Sequence, residues 1–145
     1  MMKKYKVGYT TGVFDLFHIG HLNILRNAKE QCEYLIVGVS TDELVEKEKH
    51  KTPIIPLAER VKIVEAIRYV DKVVLQPDKN KMQAWETHKF DAMFVGSDWQ
   101  GTDTWRKFEE EFKEVGVDIV YLPHTDGTSS TLLTEILHRE LKRQD

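Results

Sequence analysis

The alternation of two hydrophobic patterns constrains the fold of this chain more than any other feature. Apolar runs rich in β-branched residues predict buried strands at 7–11, 34–40, 72–76, 91–97 and 117–123. Apolar residues at helical spacing predict intervening helices at 22–32, 55–71, 81–88, 104–116 and 131–142. Strands that alternate with helices pair in parallel through right-handed crossovers. We therefore predict an α/β, Rossmann-like fold: a small doubly wound sheet of five parallel strands in the flavodoxin-like order 3-2-1-4-5, with helices on both faces.

The composition is that of a single globular domain over residues 1–145. Hydrophobic residues make up 41% of the chain and charged residues 31%, and the length suffices for one buried core. The net charge of −3 argues against binding to nucleic acid or to an anionic membrane, so any bound anion must be held by local groups. The single Cys32 cannot form an internal disulfide, and no apolar targeting segment follows the basic N-terminus. We expect a cytoplasmic protein.

Doubly wound sheets bind ligands beyond the carboxyl ends of their strands, where the strand order reverses. Four segments of this chain directly follow a predicted strand, namely 11–21, 40–51, 96–101 and 123–131. Their side chains are therefore the candidates for a functional site.

The first segment carries two histidines at the start of a predicted helix. Gly12 allows a sharp turn, and His18 and His21 flank Gly20 where free N–H groups and the helix dipole favour a phosphate. Two interpretations have about equal weight: the imidazoles donate to phosphate oxygens, or they cap the helix. A zinc site is disfavoured because no cysteine pair or nearby third histidine completes the ligand set. Asp15 could cap the turn or hold a cation on phosphates, and capping is favoured.

The second and third segments are less specific. The sequence STDEL is expected to turn the chain, and Asp42 and Glu43 are expected to begin a helix, where acidic residues are favoured. Lys47, Lys49 and Lys51 then alternate in an expected loop. These lysines are either solvated surface or a flexible contact to phosphates. In the third segment, Asp98 could accept a hydrogen bond from an amino group or a sugar hydroxyl, and Trp99 could cover a ligand or the domain edge.

The fourth segment, PHTDGTSSTLL, places four hydroxyl groups around Gly127 just before the last helix. This is more than a helix cap needs, and it predicts a second anion-binding site. The chain has neither a P-loop nor a G-x-G-x-x-G motif. Two phosphate-binding segments suit a nucleoside triphosphate and a second phosphorylated substrate. The helix that follows is expected to bury Leu133, Ile136, Leu137 and Leu141.

In this order and spacing, GVFDLFHIGH, IRYVD, GSDW and HTDGTSST resemble the H-x-G-H nucleotidyltransferases. H-x-G-H alone also fits adenylyltransferases and class I aminoacyl-tRNA synthetases, but the later motifs resemble the cytidylyltransferase branch, and within it the bacterial glycerol-3-phosphate enzymes. The resemblance covers about residues 5–137. It implies that a phosphorylated alcohol attacks the α-phosphorus of CTP to give a CDP-alcohol and pyrophosphate. It also implies Mg²⁺ with the CTP and a homodimer. Trp85, Trp99 and Trp105 could supply contact surface for a dimer, and core packing explains them equally well. An adenylyltransferase and a non-catalytic nucleotide-binding protein are the alternatives.

The resemblance also implies roles for individual residues. His18 and His21 match the histidines that stabilise the pentacoordinate phosphorus and the leaving pyrophosphate, and Lys49 is the best match for a phosphate-binding lysine. Lys51, the second match, and His124 are assigned to substrate binding, and no protein ligand is assigned to the metal. The residues that match the nucleotide-binding positions are Thr11, Gly12, Val13, Asp15, Arg68, Asp98, Thr125, Ser129 and Ser130.

Two residues depart from the family pattern. His124 stands where the family usually has arginine, which gives a permanent bidentate phosphate contact. Val13 stands where glycerol-phosphate enzymes often have threonine, so the identity of the acceptor stays open.

Overall fold

The computed structural model describes residues 3–123 and 130–144. The strands of this part of the chain are β1 (Tyr5–Gly12), β2 (Cys32–Ser40), β3 (Lys72–Gln76), β4 (Ala92–Gly96) and β5 (Asp118–Leu122). Its α-helices are α1 (Ile19–Gln31), α2 (Asp42–Lys49), α3 (Leu57–Glu65), α4 (Lys81–His88), α5 (Asp103–Glu114) and α6 (Ser130–Gln144). Within these ranges, no helix is both long enough and apolar enough to cross a membrane.

The strands form one parallel sheet in the order β3-β2-β1-β4-β5, which confirms the predicted fold. The central strand β1 pairs with β2 on one side and with β4 on the other, so that Thr10 lies opposite both Val37 and Phe94. The Thr10 hydroxyl donates to the Phe94 carbonyl at 2.8 Å. The strand order reverses between β1 and β4, and this is where a sheet of this kind opens a ligand crevice.

Helices cover both faces of the sheet. On one face, Leu25 of α1 and Val64 of α3 belong to a cluster of fully buried side chains. On the other face, Trp105 and Phe112 of α5 pack in a second cluster with Tyr9 of β1. Each buried side chain of this size contributes about 1.5–3 kcal/mol to folding. These two clusters fix the strand ends on which the functional side chains stand.

The helix start predicted at Asp42 and Glu43 is confirmed by α2, but the loop predicted for the lysines is wrong, because α2 continues through Lys49. Lys47 and Lys49 therefore lie on a helix, whereas Lys51 follows it. The helix begins where the Thr41 hydroxyl accepts a hydrogen bond from the Leu44 N–H at 3.2 Å. The helix buries little apolar surface and is otherwise charged, so its sequence carried almost no apolar period.

Two further helices differ from expectation. Helix α3 is shorter than predicted, with Pro56 as its N-cap residue rather than in its first turn. In α6, Leu133 is partly buried, but Ile136, Leu137 and Leu141 are exposed, so their predicted inward orientation is wrong. A helical period shows that a helix has an apolar stripe, but it does not show what covers that stripe.

The loop between β1 and α1 turns through bulky residues. Phe14 and Leu16 have φ angles of 55° and 50°, in the left-handed region that residues with side chains rarely adopt. Gly12, which was expected to make the turn, is the last residue of β1, and a Cβ added there would lie 3.0 Å from the Phe14 ring. Such a strained residue costs on the order of 1–3 kcal/mol. Contacts from elsewhere must therefore hold this loop.

Two buried polar side chains provide those contacts. The Asp15 carboxylate, 5% exposed, accepts the backbone N–H groups of Ile54 and Ile55 at 2.8 and 2.9 Å. The guanidinium of Arg60, on α3, donates to the carbonyl of Val13 at 2.7 Å and to that of Ile55 at 2.8 Å. Asp15 thus joins the loop after β1 to the segment before α3, and Arg60 binds both of these segments to α3.

Arg60 also reaches the second strand. It is fully buried, and it donates to the Ser40 carbonyl at 2.8 Å and to the Asp42 carboxylate at 2.5 Å. One side chain therefore holds the end of β2, the start of α2 and the loop after β1.

We predict that Arg60→Met lowers the free energy of unfolding by about 3–5 kcal/mol, because it leaves a carboxylate and three carbonyls without their donor. Urea denaturation measures this loss. Lys62→Met is the matched control, since it removes an exposed cation of the same helix and is expected to change stability by less than about 0.5 kcal/mol. Equal stability of the two variants would contradict the role given to Arg60.

Candidate active site

A cavity of about 510 Å³ opens at the carboxyl ends of β1 and β4, where the strand order reverses. Its wall combines the loop after β1, the first turns of α1, the connection between α2 and α3, and the turn after β4. Such a concave surface, largely apolar with a few converging polar groups, is typical of a small-molecule site.

Most of the residues predicted for the site from the sequence meet in this cavity. Those that line it are Thr11, Gly12, Val13, Asp15, His21, Lys49, Lys51 and Asp98. His18 is not among the lining residues, but its ring lies 4.1 Å from that of His21. The structure does not bring Arg68 to the cavity: this residue is exposed, and its guanidinium lies 5.4 Å from the centre of the Tyr69 ring.

The predicted hydroxyl segment cannot be placed. His124, Thr125 and Ser129 lie outside the described residues, and Ser130 is described only as the first backbone position of α6. Their predicted roles stay predictions.

His18 and His21 cap the N-terminus of α1. The Gly20 N–H donates to His18 Nδ1 at 3.0 Å, and the His18 N–H donates to His21 Nδ1 at 3.2 Å. The capping interpretation is confirmed. It does not exclude the phosphate interpretation, because a neutral imidazole that accepts at Nδ1 carries its hydrogen on Nε2. Each ring is thereby fixed as a donor of the kind that binds a phosphate oxygen.

Both histidines are held in the neutral form. Burial, with a smaller contribution from His18, lowers the pKa of His21 to about 4, and burial also lowers the pKa of His18. The rings of Phe14 and Phe17 lie 5.4 and 5.2 Å from the His21 ring and supply the apolar surroundings. A proton on Nδ1 would also remove the acceptor that caps the helix. At neutral pH the pair therefore offers N–H donors rather than positive charges.

Positive charge in the cavity comes from Lys49 and Lys51. Both are exposed lining residues, one at the end of α2 and one just beyond it. Lys51 is paired with Glu135 of α6, with 3.5 Å between Nζ and Oε1. Thr134, the preceding residue, also lines the cavity. A helix from the end of the chain thus takes part in the site.

Asp98 and Trp99 stand in a short 3-10 turn at the end of β4. Both line the cavity, and Trp99 is 55% exposed. A ligand that entered here would meet a carboxylate and an indole side by side.

Carboxylates do not gather into a metal-binding cluster in the described part of the chain, which contains no group of three or more histidine, cysteine or acidic side chains positioned to hold an ion. Both oxygens of Asp15 already accept backbone N–H groups. A cation in this cavity would therefore need most of its ligands from a bound phosphate, with Asp98 as a nearby carboxylate.

Sequence reasoning missed Arg60, Thr134 and Glu135. A signal for Arg60 existed, because Leu57, Arg60 and Val64 fall on one stripe of α3 and a charged residue on a buried stripe needs partners. Nothing in the sequence placed Thr134 and Glu135 near the lysines, since that contact depends on how α6 docks.

Three comparisons with known proteins show what this chain is similar to. Residues 9–136 match the family model described as cytidylyltransferase-like. A glycerol-3-phosphate cytidylyltransferase of Bacillus subtilis (strain 168) is 40% identical over 129 residues, which cover 87% of this chain and 92% of that protein. A FAD synthase of Pyrococcus abyssi is 36% identical over 131 residues, which cover 88% of this chain and 87% of that protein.

Solved structures share the fold. A lipopolysaccharide core biosynthesis protein of Thermoplasma volcanium superposes with a TM-score of 0.70 at 23% identity, over 86% of this chain and 99% of the other. A pantoate–β-alanine ligase of Francisella tularensis superposes with a TM-score of 0.67 at 16% identity, over 100% of this chain and 74% of the other. These identities support the fold alone. The extent of the family match and the 40% identity carry the assignment: this chain belongs to the cytidylyltransferase-like family of nucleotidyltransferases.

Proposed function

We propose that this enzyme transfers a cytidylyl group from CTP to a small phosphorylated alcohol, giving a CDP-alcohol and pyrophosphate. The observation that carries the proposal is that His21, Lys49, Lys51 and Asp98 all line the same cavity. It supplies N–H donors and ammonium groups for phosphates beside a carboxylate for the nucleoside. A glycerol-3-phosphate-like acceptor is favoured because two of the similar proteins are named glycerol-3-phosphate cytidylyltransferases.

The proposed reaction needs positioning more than proton transfer. An oxygen of the acceptor phosphate bonds to the α-phosphorus of CTP, the bond from that phosphorus to the bridging oxygen breaks, and pyrophosphate leaves with the electron pair. The attacking phosphate is already anionic near neutral pH, so a general base has little to do. The chain contributes by aligning two phosphates and by directing donors at the charge that develops, for which Nε2 of His18 and of His21 are suited.

Mg²⁺ is part of this proposal. It would neutralise charge on the triphosphate, and with few carboxylates in the cavity it would be held chiefly by phosphate oxygens, with Asp98 the nearest candidate on the protein. Such partial coordination by protein is usual for Mg²⁺ that accompanies a nucleotide.

We also propose a homodimer, which sedimentation velocity at micromolar concentration tests. Of the three tryptophans considered for contact surface, Trp105 is buried in the core and Trp99 is exposed at the cavity.

Adenylyl transfer is the second candidate, because a FAD synthase is among the similar proteins. FAD is FMN joined to an adenylyl group, so the same site would then bind ATP and a larger phosphorylated alcohol. The described residues do not discriminate between the bases, since Asp98 and Trp99 could meet either one.

We expect pyrophosphate release with CTP and Mg²⁺ when the acceptor is glycerol 3-phosphate or a related phospho-alcohol, and little release with ATP. A coupled pyrophosphate assay over both nucleotides and a panel of glycerol 3-phosphate, phosphocholine, phosphoethanolamine and FMN measures this. If pyrophosphate is released only with ATP and FMN, the enzyme transfers an adenylyl group and the cytidylyl proposal is wrong. Nucleotide binding without turnover on any acceptor would identify a binding protein.

Two substitutions at His21 separate its roles. In His21→Asn, the amide oxygen can take the place of Nδ1 as helix cap, but the Nε2 donor is lost, and kcat should fall by about 10²–10³-fold. In His21→Gln, the amide nitrogen lies near the position of Nε2, and more activity should survive. Steady-state kinetics compares the variants, and equal activities would argue against donation from Nε2.

The lowered pKa of His21 also predicts how stability varies with pH. The unfolded chain binds a proton at this residue near pH 6.5, whereas the folded chain does so only near pH 4. The ionisation of His21 therefore leaves stability unaffected above pH 6.5, and it lowers stability as the pH falls from 6.5 towards 4. Urea unfolding at several pH values should show a smaller decrease for His21→Asn than for the wild type. Burial also lowers the pKa of His88, but this residue is common to both proteins, so its contribution cancels in the difference.

A further inference from the structure

Lys51, a lysine of the candidate site, forms an ion pair with Glu135. Lys51 lines the cavity, and its ammonium lies 3.5 Å from the Glu135 carboxylate. The two side chains are 44% and 46% exposed, so water and small ions reach both. A phosphate that enters the cavity meets a cation which already has an anionic partner on α6.

Helix α6 is half-buried at Leu133 and Thr134 and exposes much of its remaining apolar surface in the part of the chain that the structure describes. Three of its apolar side chains, Leu132, Ile136 and Leu141, are 55%, 43% and 56% exposed. Thr134 and Glu135 bring the helix to the cavity. The ion pair is therefore one of the described contacts between this helix and the cavity.

A carboxylate beside a phosphate-binding lysine opposes phosphate binding in two ways. It occupies one of the donors of the ammonium, and it repels the incoming anion at short range. Of the other described residues that line the cavity, Lys49 supplies positive charge but is not part of this ion pair, His21 is neutral, and Asp15 is buried on backbone N–H groups. The effect of Glu135 therefore falls on Lys51.

We propose that Glu135 is a positioning residue that acts through Lys51: it holds the lysine in the unliganded protein and yields it to a phosphate group on binding. The inference rests on the proposed function, because it takes the cavity as a phosphate site. The exchange limits affinity for polyphosphates, which favours release of pyrophosphate after the reaction. It also changes the attachment of α6 whenever the site is filled.

The test is isothermal titration with inorganic pyrophosphate and with CTP at low ionic strength. Exposed ion pairs of this kind are weak, so Glu135→Gln should tighten binding by about twofold to fivefold. Lys51→Met should weaken binding, and in that background Glu135→Gln should no longer tighten it, because the interaction passes through the lysine. Glu135→Asp keeps the charge and should stay close to the wild type.

Glu110→Gln is the matched control. It removes one exposed carboxylate from α5, outside the cavity lining, and gives the same change in net charge. Its affinity for pyrophosphate should equal that of the wild type. In turnover, Glu135→Gln should lower KM for CTP with kcat unchanged or reduced, since product leaves more slowly, whereas Glu110→Gln should alter neither constant.

Unchanged or weaker binding in Glu135→Gln overturns the inference, and so does equal tightening in the Lys51→Met background or in Glu110→Gln. If the wild type turns over CTP while Glu135→Gln binds pyrophosphate like the wild type, the proposed function stands and this inference alone fails. If the wild type binds neither CTP nor pyrophosphate, both fail.

Discussion

The buried guanidinium of Arg60 is the constraint on which the geometry of the cavity depends. It ties together the loop after β1, the end of β2 and the segment before α3, all at one edge of the sheet. A buried cation is tolerated only when its donors are used, and here three carbonyls and the carboxylate of Asp42 use them. The same contacts support the left-handed backbone at Phe14 and Leu16, which no local preference would maintain. The cavity is therefore shaped by a residue that does not line it.

The fold was predictable because its determinants are local. Strands buried on both faces read as continuous apolar runs, and the alternation with helices leaves few topologies open. Prediction failed where a segment buries little apolar surface, and where a contact between distant parts of the chain decides the structure. The acidic residues at the start of α2 predict where it begins, but its continuation through Lys49 is not predictable because the sequence there is almost entirely charged. The inward orientation predicted for Ile136 is wrong because a helical period indicates an apolar stripe but not what covers it. The contact of Lys51 with Glu135 was equally hidden, since it joins distant parts of the chain.

The histidines show how a structural and a functional interpretation can both apply to one motif. From the sequence, capping and phosphate binding were alternatives for His18 and His21. The structure assigns the cap to the Nδ1 atoms, and this fixes which nitrogen of each ring carries the hydrogen. Capping therefore orients the donors rather than competing with them. It also opposes protonation, because an imidazolium has no acceptor with which to keep the cap.

The charge balance of the described cavity follows from these arrangements. For the proposed reaction, a chain of net charge −3 has to attract polyphosphate through local groups, yet His18 and His21 are neutral and one of the two described cavity lysines is paired. Attraction then comes from directed donors more than from accumulated positive charge. Directed donors discriminate by geometry, so they can favour the arrangement in which phosphorus is pentacoordinate over a tightly held ground state. In the proposed reaction, pyrophosphate and a charged product leave in every cycle. Directed donors suit such a reaction, because affinity that does not depend on the transition state would only slow the departure of the products.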